Sequence, residues 1–179
     1  MAVLTELTIE DFEQLPDALA HNHELVDGKL VDVSGNTRRH ISLRDFLLAK
    51  LLLHVEAANL GEVMAEQEFD FNGNAHGPDI SFVSLDKVPE LDSSLRIQRL
   101  VPDLAMEISS RNDRLETTIQ KLDRYRKCGT KESWLLIIPT RRAFLFSDRA
   151  DLILNENDDF RSDLIPGFSI RLKDLFDRA

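Results

Sequence analysis

The sequence predicts an α/β fold in which a mixed central β-sheet is flanked by α-helices, and three observations carry that prediction. Two short apolar strands are each headed by Pro-Asp: Pro78-Asp79-Ile80-Ser81-Phe82-Val83, and Pro102-Asp103-Leu104-Ala105-Met106-Glu107-Ile108-Ser109. Ser133 to Ile138 is a nearly continuous apolar run, as expected of a strand buried on both faces. Helical patterns precede the first of these strands and separate the second from the third, so the order helix, strands, helix, strand describes a sheet with helices packed against it.

The elements follow in chain order. Thr8 to Pro16 reads as a short helix capped by Thr8, with Asp11 at the position where a full capping box places a longer acid or amide. Glu24 to Val33 sets Asp27-Gly28 between two apolar runs, the strongest short-range hairpin signal. Thr37 caps a long helix reaching about Asn59, with Ile41, Leu48, Leu52 and Val55 on one face, further leucines widening it, and Gly61 as its stop. Glu62 to Phe71 alternates as one strand, and Asn72-Gly73-Asn74 turns the chain towards Pro78-Asp79. Beyond the second Pro-Asp strand, Asn112 or Asp113 begins a helix bearing Leu115, Ile119, Leu122 and Tyr125, closed by Gly129. Ala143 to Phe146 and Leu152 to Leu154 are later strands, and Leu172 to Asp177 is a terminal helix.

The 179 residues carry no internal repeat, low-complexity tract or Pro/Gly-rich linker, so residues 1–179 are expected to form a single domain. One cysteine, Cys128, excludes an internal disulfide and a multi-cysteine zinc site, which suits a reducing compartment. The amino terminus lacks a basic, apolar leader pattern and no stretch approaches the length of a membrane span, so the expected location is the cytoplasm. A net charge of -10 argues against a protein that coats nucleic acid generally. The charge is uneven, however: Arg111 to Arg149 holds ten Lys or Arg against five acids, leaving 12 against 27 elsewhere. A local DNA-binding surface and a solvated helix face both account for that bias.

Strand alternation puts Asp79 on one face with Ser81 and Val83, and Glu107 on one face with Ala105 and Ser109. Two ionised carboxylates about 4 Å apart repel by roughly 4 kcal/mol at an effective dielectric near 20, so a pair brought together by neighbouring strands needs neutralising. A hard cation does that, and Mg²⁺ is held by one or two carboxylates together with water and phosphate oxygens. Solvated strand ends are the alternative for both acids. On the following helix, Lys121 lies about 40° round the wheel from Tyr125, at the edge of the apolar face. Its stem can run over the core and lift the ammonium towards the end of the Glu107 strand; an exposed lysine on an amphipathic helix is again the alternative.

Taken together, Glu24-Leu25-Val26-Asp27-Gly28, His40 opening a long helix, Gly77-Pro78-Asp79-Ile80, Pro102 to Ser109, Lys121, Tyr125, Gly129, Glu132-Ser133-Trp134-Leu135, Pro139 and Ile165-Pro166-Gly167-Phe168 resemble the Uma-two family. Its members are designated putative restriction endonucleases, within the PD-(D/E)XK nuclease superfamily. No single motif is specific, but their order and spacing from about Thr8 to Phe176 are. The resemblance implies a restriction-endonuclease-like core and metal-dependent endonucleolytic hydrolysis of phosphodiester bonds in DNA, with Mg²⁺ or Mn²⁺ as cofactor. It implies Asp79, Glu107 and the carbonyl of Ile108 as metal ligands and Glu24 as an auxiliary acid, and it places His40 near the site. A turn-flanking surface carboxylate and a helix-start histidine remain the alternatives for Glu24 and His40.

One departure bears on mechanism. Ser109 stands where the superfamily motif puts a lysine two residues after its acid, so the resemblance hands that role to Lys121 from the next helix. Ile138-Pro139 replaces a common Asp-Pro, and Arg111-Asn112-Asp113 replaces a Pro-Ser-rich loop, so loop contacts to substrate do not carry over. Cutting a duplex with one such site per chain favours a two-fold homodimer. A catalytically degenerate nuclease fold, kept as a DNA-binding or regulatory module, is the second hypothesis, prompted by the acidic balance and Ser109. A hydrolase of another class lacks support, since Gly-x-Ser-x-Gly, His-Glu-x-x-His and Walker patterns are missing.

Overall fold

A computed structural model describes residues 6–33, 35–109 and 114–179. The chain opens with the short helices α1 (Ile9–Glu13) and α2 (Asp17–Ala20), the hairpin β1 (His23–Val26) and β2 (Lys29–Asp32), and the long helix α3 (Arg38–Ala58). Strands β3 (Gly61–Met64), β4 (Glu68–Asp70), β5 (Ala75–His76), β6 (Ile80–Ser84), β7 (Ile97–Gln98) and β8 (Leu104–Ser109) lead to helix α4 (Leu115–Lys127). The remainder is β9 (Glu132–Ile137), β10 (Arg142–Ser147), β11 (Leu152–Asn155), β12 (Asp159–Phe160), β13 (Ile170–Arg171) and α5 (Leu172–Phe176). No helix among the described residues is long and apolar enough to cross a membrane.

The central sheet is mixed, with six strands in the order β11-β10-β9-β8-β6-β3, and only β8 and β9 run parallel within it. A second sheet, ordered β2-β1-β5-β4-β7, and the small pair β12-β13 were not legible as separate units. The two Pro-Asp strands are antiparallel neighbours: Ile80 pairs with Met106, so the next step of the ladder sets Asp79 across from Glu107. Alternation assigns the faces as expected. Ile80, Phe82, Leu104, Met106 and Ile108 join the core under α3 and α5, while Val83, Ala105 and Leu135 pack with Leu122 and Tyr125 of α4.

Local chemistry explains the boundaries. Thr8 and Asp11 form a complete capping box, because the Asp11 carboxylate reaches the Thr8 backbone N–H at 3.0 Å despite its short stem. In the hairpin, Asp27 and Gly28 both take positive φ (47° and 73°), the signature of the turn that Asp-Gly favours. Thr37 caps α3 as expected, but the helix ends at Asn59 in the left-handed region (φ 50°) and Gly61 serves a different purpose. There φ is 147° and an added Cβ would sit 2.0 Å from the Val83 carbonyl, so glycine permits the close start of the β3–β6 ladder.

Three expectations are corrected. The buried stripe of α3 is His40, Leu43, Leu47, Leu51 and Val55, whereas Ile41 and Leu52 are exposed; leucines at 47, 48, 51, 52 and 53 satisfy two adjacent stripes, and packing chooses one. Glu62 to Phe71 is two strands in different sheets, broken at Glu66, whose positive φ (55°) redirects the chain without a Gly or Pro signal. On α4, Leu122 and Tyr125 are buried but Leu115 and Ile119 are exposed, so the face turned inward is narrower than the periodicity suggested. The start of that helix at Asn112 or Asp113 falls outside the described residues.

Candidate active site

The sheet end where β6 begins and β8 finishes gathers Asp79 and Glu107, and two further elements bring their partners. β1 presents Glu24 through pairing with β5, where Leu25 lies opposite Ala75. Helix α4 packs on β8 and β9 and lays Lys121 and Tyr125 over the same end. Lys121 Nζ lies 2.7 Å from Glu24 Oε1 and 3.0 Å from Glu107 Oε1. Tyr125 donates its hydroxyl to Glu107 Oε1 at 2.7 Å. All four expected site side chains, Glu24, Asp79, Glu107 and Lys121, line one groove of about 1200 Å³, together with Arg96 and Arg114.

Asp79 is held from both sides. His40 Nε2 meets Oδ1 at 2.7 Å, and the backbone N–H of Ile108 donates to Oδ2 at 2.7 Å. Within a strand the N–H and C=O of one residue face the same edge, so the Ile108 carbonyl is turned towards the Asp79 side as well. Glu24 is held from several sides too: besides Lys121, His76 Nδ1 lies 2.8 Å from Oε2, and the Gly77 N–H donates to Oε1 at 3.0 Å.

The same environment pushes the two glutamates apart. Burial alone would raise Glu24, but the Lys121 charge and His76 overcome it and hold the carboxyl at about 2. For Glu107 burial wins, and although Lys121 opposes it, the nearby Asp79 and Glu24 charges help lift the carboxyl to about 7. Lys121 shows the reverse balance: burial would lower it, yet Glu107 and Glu24 hold the ammonium well above its usual range. One cation therefore serves two buried acids, firmly ionising Glu24 and leaving Glu107 under-neutralised at neutral pH.

That imbalance is the test of whether a divalent cation suits these residues. Carboxylate and carbonyl oxygens are the donors a hard cation prefers, and added positive charge beside Glu107 would relieve the repulsion that raises it. Among the described residues no group of three or more His, Cys, Asp or Glu is placed to hold a metal ion by itself. An open site of two carboxylates and a carbonyl is what Mg²⁺ uses when water and phosphate complete its shell, so the donor set fits.

His76 and the Tyr125 hydroxyl were missed as site groups. Tyr125 had a signal, one helical turn beyond Lys121, whereas the two-residue strand β5 leaves no periodicity to mark His76. The second Pro-Asp pair lies elsewhere. Asp103 accepts from Ser84 N and Oγ at 2.9 and 2.6 Å and meets Lys131 at 2.8 Å, a structural junction at the opposite end of the strands. Part of the local basic bias is ion-paired: Arg124 with Asp27, Arg126 with Asp151, Lys131 with Asp103, and Arg141 with Glu156 and Asp177.

A family model named Uma2 and described as "Putative restriction endonuclease" matches residues 9–173. A crystal structure described as a putative nuclease belonging to DUF820, from Anabaena variabilis ATCC 29413, is similar with a TM-score of 0.84 and 18% identity, covering 96% of this chain and 98% of that one. At that identity the likeness establishes the fold. A cryo-EM structure of a DrdV–DNA complex aligns with 79% of this chain and 12% of its own, at 21% identity and a TM-score of 0.43, too loose a likeness to carry an inference. Among curated proteins, none matches this sequence.

Proposed function

This chain belongs to the Uma2 family, described as "Putative restriction endonuclease", and from that premise we propose that it is a Mg²⁺- or Mn²⁺-dependent endodeoxyribonuclease. The observation that carries the reading is Lys121 lying within 3.0 Å of Glu107 and 2.7 Å of Glu24. On this reading Lys121 of α4 takes the part that the superfamily motif gives to a lysine at the Ser109 position.

Asp79, Glu107 and the Ile108 carbonyl are the groups that would hold the cation. When bound, it would polarise the scissile phosphate and acidify the attacking water. The chain's own residues do the rest. Lys121 presents a permanent positive charge to the phosphate oxygens as negative charge accumulates in the transition state. Glu24, ionised and fixed by His76 and Gly77, keeps that ammonium at the Glu107 end of the sheet. His40 and the Ile108 N–H hold the Asp79 carboxylate in one orientation, so little reorganisation accompanies reaction. Tyr125 donates to Glu107 Oε1 and restricts its rotation. Arg96 and Arg114 line the groove along which a phosphodiester backbone would lie. Duplex cleavage would join two such chains about a two-fold axis, in the cytoplasm, where DNA is accessible.

The test is cleavage of plasmid, linear and single-stranded DNA with Mg²⁺ or Mn²⁺, alongside calorimetric metal titration of wild type, Asp79→Ala and Glu107→Ala. Cleavage and metal binding lost together in both variants support the reading. Intact DNA under conditions where the wild type demonstrably binds metal would overturn it, and metal binding unchanged in the variants would overturn the ligand assignment.

A further inference from the structure

We propose that His76 is a positioning residue of this site: its Nδ1–H fixes Glu24 Oε2 so that Oε1 holds the Lys121 ammonium beside Glu107. The inference rests on the nuclease reading for its catalytic consequence, but the positioning itself can be measured without activity.

Backbone pairing places the ring. His76 lies opposite Phe69 in the β4–β5 ladder, and its neighbour Ala75 lies opposite Leu25, the residue after Glu24. The imidazole is 2% exposed and sits against Phe71 and Tyr125, each with its ring centroid 5.8 Å away. Nδ1 is 2.8 Å from Glu24 Oε2, whereas Nε2 is buried without a hydrogen-bond partner among the described residues. An apolar aromatic would fill this space against the same two rings and leave no orphaned nitrogen, so packing alone does not call for histidine. What histidine adds is one donor aimed at Glu24.

The tautomer follows from the same contacts. An ionised carboxylate only accepts, so Nδ1 must carry the proton. The neutral ring then leaves an unfilled acceptor at Nε2, where the other tautomer would bury a donor and turn a lone pair towards the carboxylate. Burial also disfavours the imidazolium, against the pull of Glu24. The two oxygens of Glu24 thus have separate tasks: Oε2 is tied to His76, and Oε1 is shared by the Gly77 N–H and Lys121. Without the His76 bond the carboxylate can rotate about its terminal torsion, and the ammonium loses its fixed acceptor.

Two variants separate this role from packing: His76→Phe keeps the ring and removes the donor, and His76→Asn puts an amide nitrogen near the Nδ1 position. In His76→Phe, kcat for DNA cleavage should fall about 10- to 100-fold, the usual effect of losing an outer-shell orienting bond, with KM for DNA little changed and Tm lowered only by the loss of one buried hydrogen bond to Glu24. His76→Asn should recover most of the loss, and His76→Phe should add nothing in a Glu24→Gln background. Full cleavage by His76→Phe, or additive losses in the double variant, would overturn the proposal. Two readouts need no cleavage. Imidazole ¹⁵N spectra at neutral pH should show the Nδ1-protonated neutral tautomer, and the Lys121 amine should acetylate faster in His76→Phe than in wild type, as followed by mass spectrometry. The Nε2-protonated form, or an unchanged acetylation rate, would overturn the positioning role even for a protein that cuts no DNA. Failure to cleave with the expected tautomer and acetylation change would instead count against the nuclease reading alone.

Discussion

Replacing Lys121 by methionine keeps an unbranched stem over the core and removes only the charge. The ammonium lies 2.7 Å from Glu24 Oε1 and 3.0 Å from Glu107 Oε1. At an effective dielectric near 20, each contact with a full carboxylate charge is worth roughly 6 kcal/mol of gross attraction. Desolvation of the three groups offsets much of this, and breaking a buried pair by removing one partner costs about 3–5 kcal/mol of stability. Glu107, at about 7, is substantially protonated at neutral pH, so Glu24 at about 2 should set most of that cost. Catalysis should suffer separately: losing one fixed donor to a developing oxyanion costs about 10²- to 10³-fold in kcat. Urea unfolding reads the first effect, and plasmid nicking at saturating Mg²⁺, at a temperature where the variant is folded, reads the second. Added Mg²⁺, held by Asp79 and Glu107, should restore the part of the stability that belongs to Glu107, but not the cleavage. The reasoning is refuted by a Lys121→Met enzyme that cuts within about threefold of wild type while Asp79→Asn does not cut at all.

Other outcomes follow from the same structure. Burial opposes ionisation of Asp103, but Lys131 and Ser84 hold its carboxyl at about 2 against an ordinary 3.8, so its ionised form stabilises the fold by about 2 kcal/mol above pH 4, and this is lost as pH falls through 2. Urea titrations should therefore show Asp103→Asn about 2 kcal/mol less stable than wild type at pH 6 and converging with it near pH 2; a constant gap would discredit the junction. Because a proton competes for Glu107 up to about 7, apparent Mg²⁺ affinity should drop steeply from pH 8 to pH 6 with proton release on binding, which calorimetry in buffers of different ionisation enthalpy detects. Leu47→Ala, in the fully buried α3 stripe, should cost about 3 kcal/mol by leaving a cavity, yet cleavage per folded molecule should hold; a loss of cleavage beyond the unfolded fraction would show that α3 acts on the site through more than His40.

What could be read from the sequence was whatever has a local cause. Thr37 capping α3, the Asp27-Gly28 turn and the doubly buried β9 each depend on residues within a few positions of one another, and all appear where expected. Misreadings arose where tertiary packing decides. The leucine-rich middle of α3 carries two equivalent stripes, and only the sheet beneath it selects Leu47 and Leu51 over Leu48 and Leu52. Glu66 breaks the chain between two sheets with no residue that demands a break. Of the site, Asp79, Glu107, Glu24 and Lys121 were named from spacing and resemblance. Their contacts with His40, His76 and Tyr125 span separations of 18 to 52 positions, which no local pattern records.

The two Pro-Asp strands show how topology completes what spacing leaves open. Asp79 and Asp103 open strands of similar composition, and Asp103 is the nearer to Glu107 in sequence, so proximity along the chain favours the wrong acid. Antiparallel pairing of β6 with β8 reverses that order: the start of β6 lies beside the finish of β8, and the start of β8 beside the finish of β6. Asp79 is then set across from Glu107 and accepts from the backbone N–H of Ile108, the next residue, while Asp103 meets Ser84. The parallel step from β8 to β9 adds the other half. To start β9 at the end where β8 starts, the chain has to travel back, and α4 makes that return. Lys121 is the seventh residue of α4, about 9 Å along its axis at 1.5 Å per residue. Its ammonium lies 3.0 Å from Glu107 Oε1, two residues before β8 finishes. Lys121 on the return helix therefore reaches Glu107 from above the sheet, so the crossover that joins β8 to β9 also brings the ammonium to the proposed site.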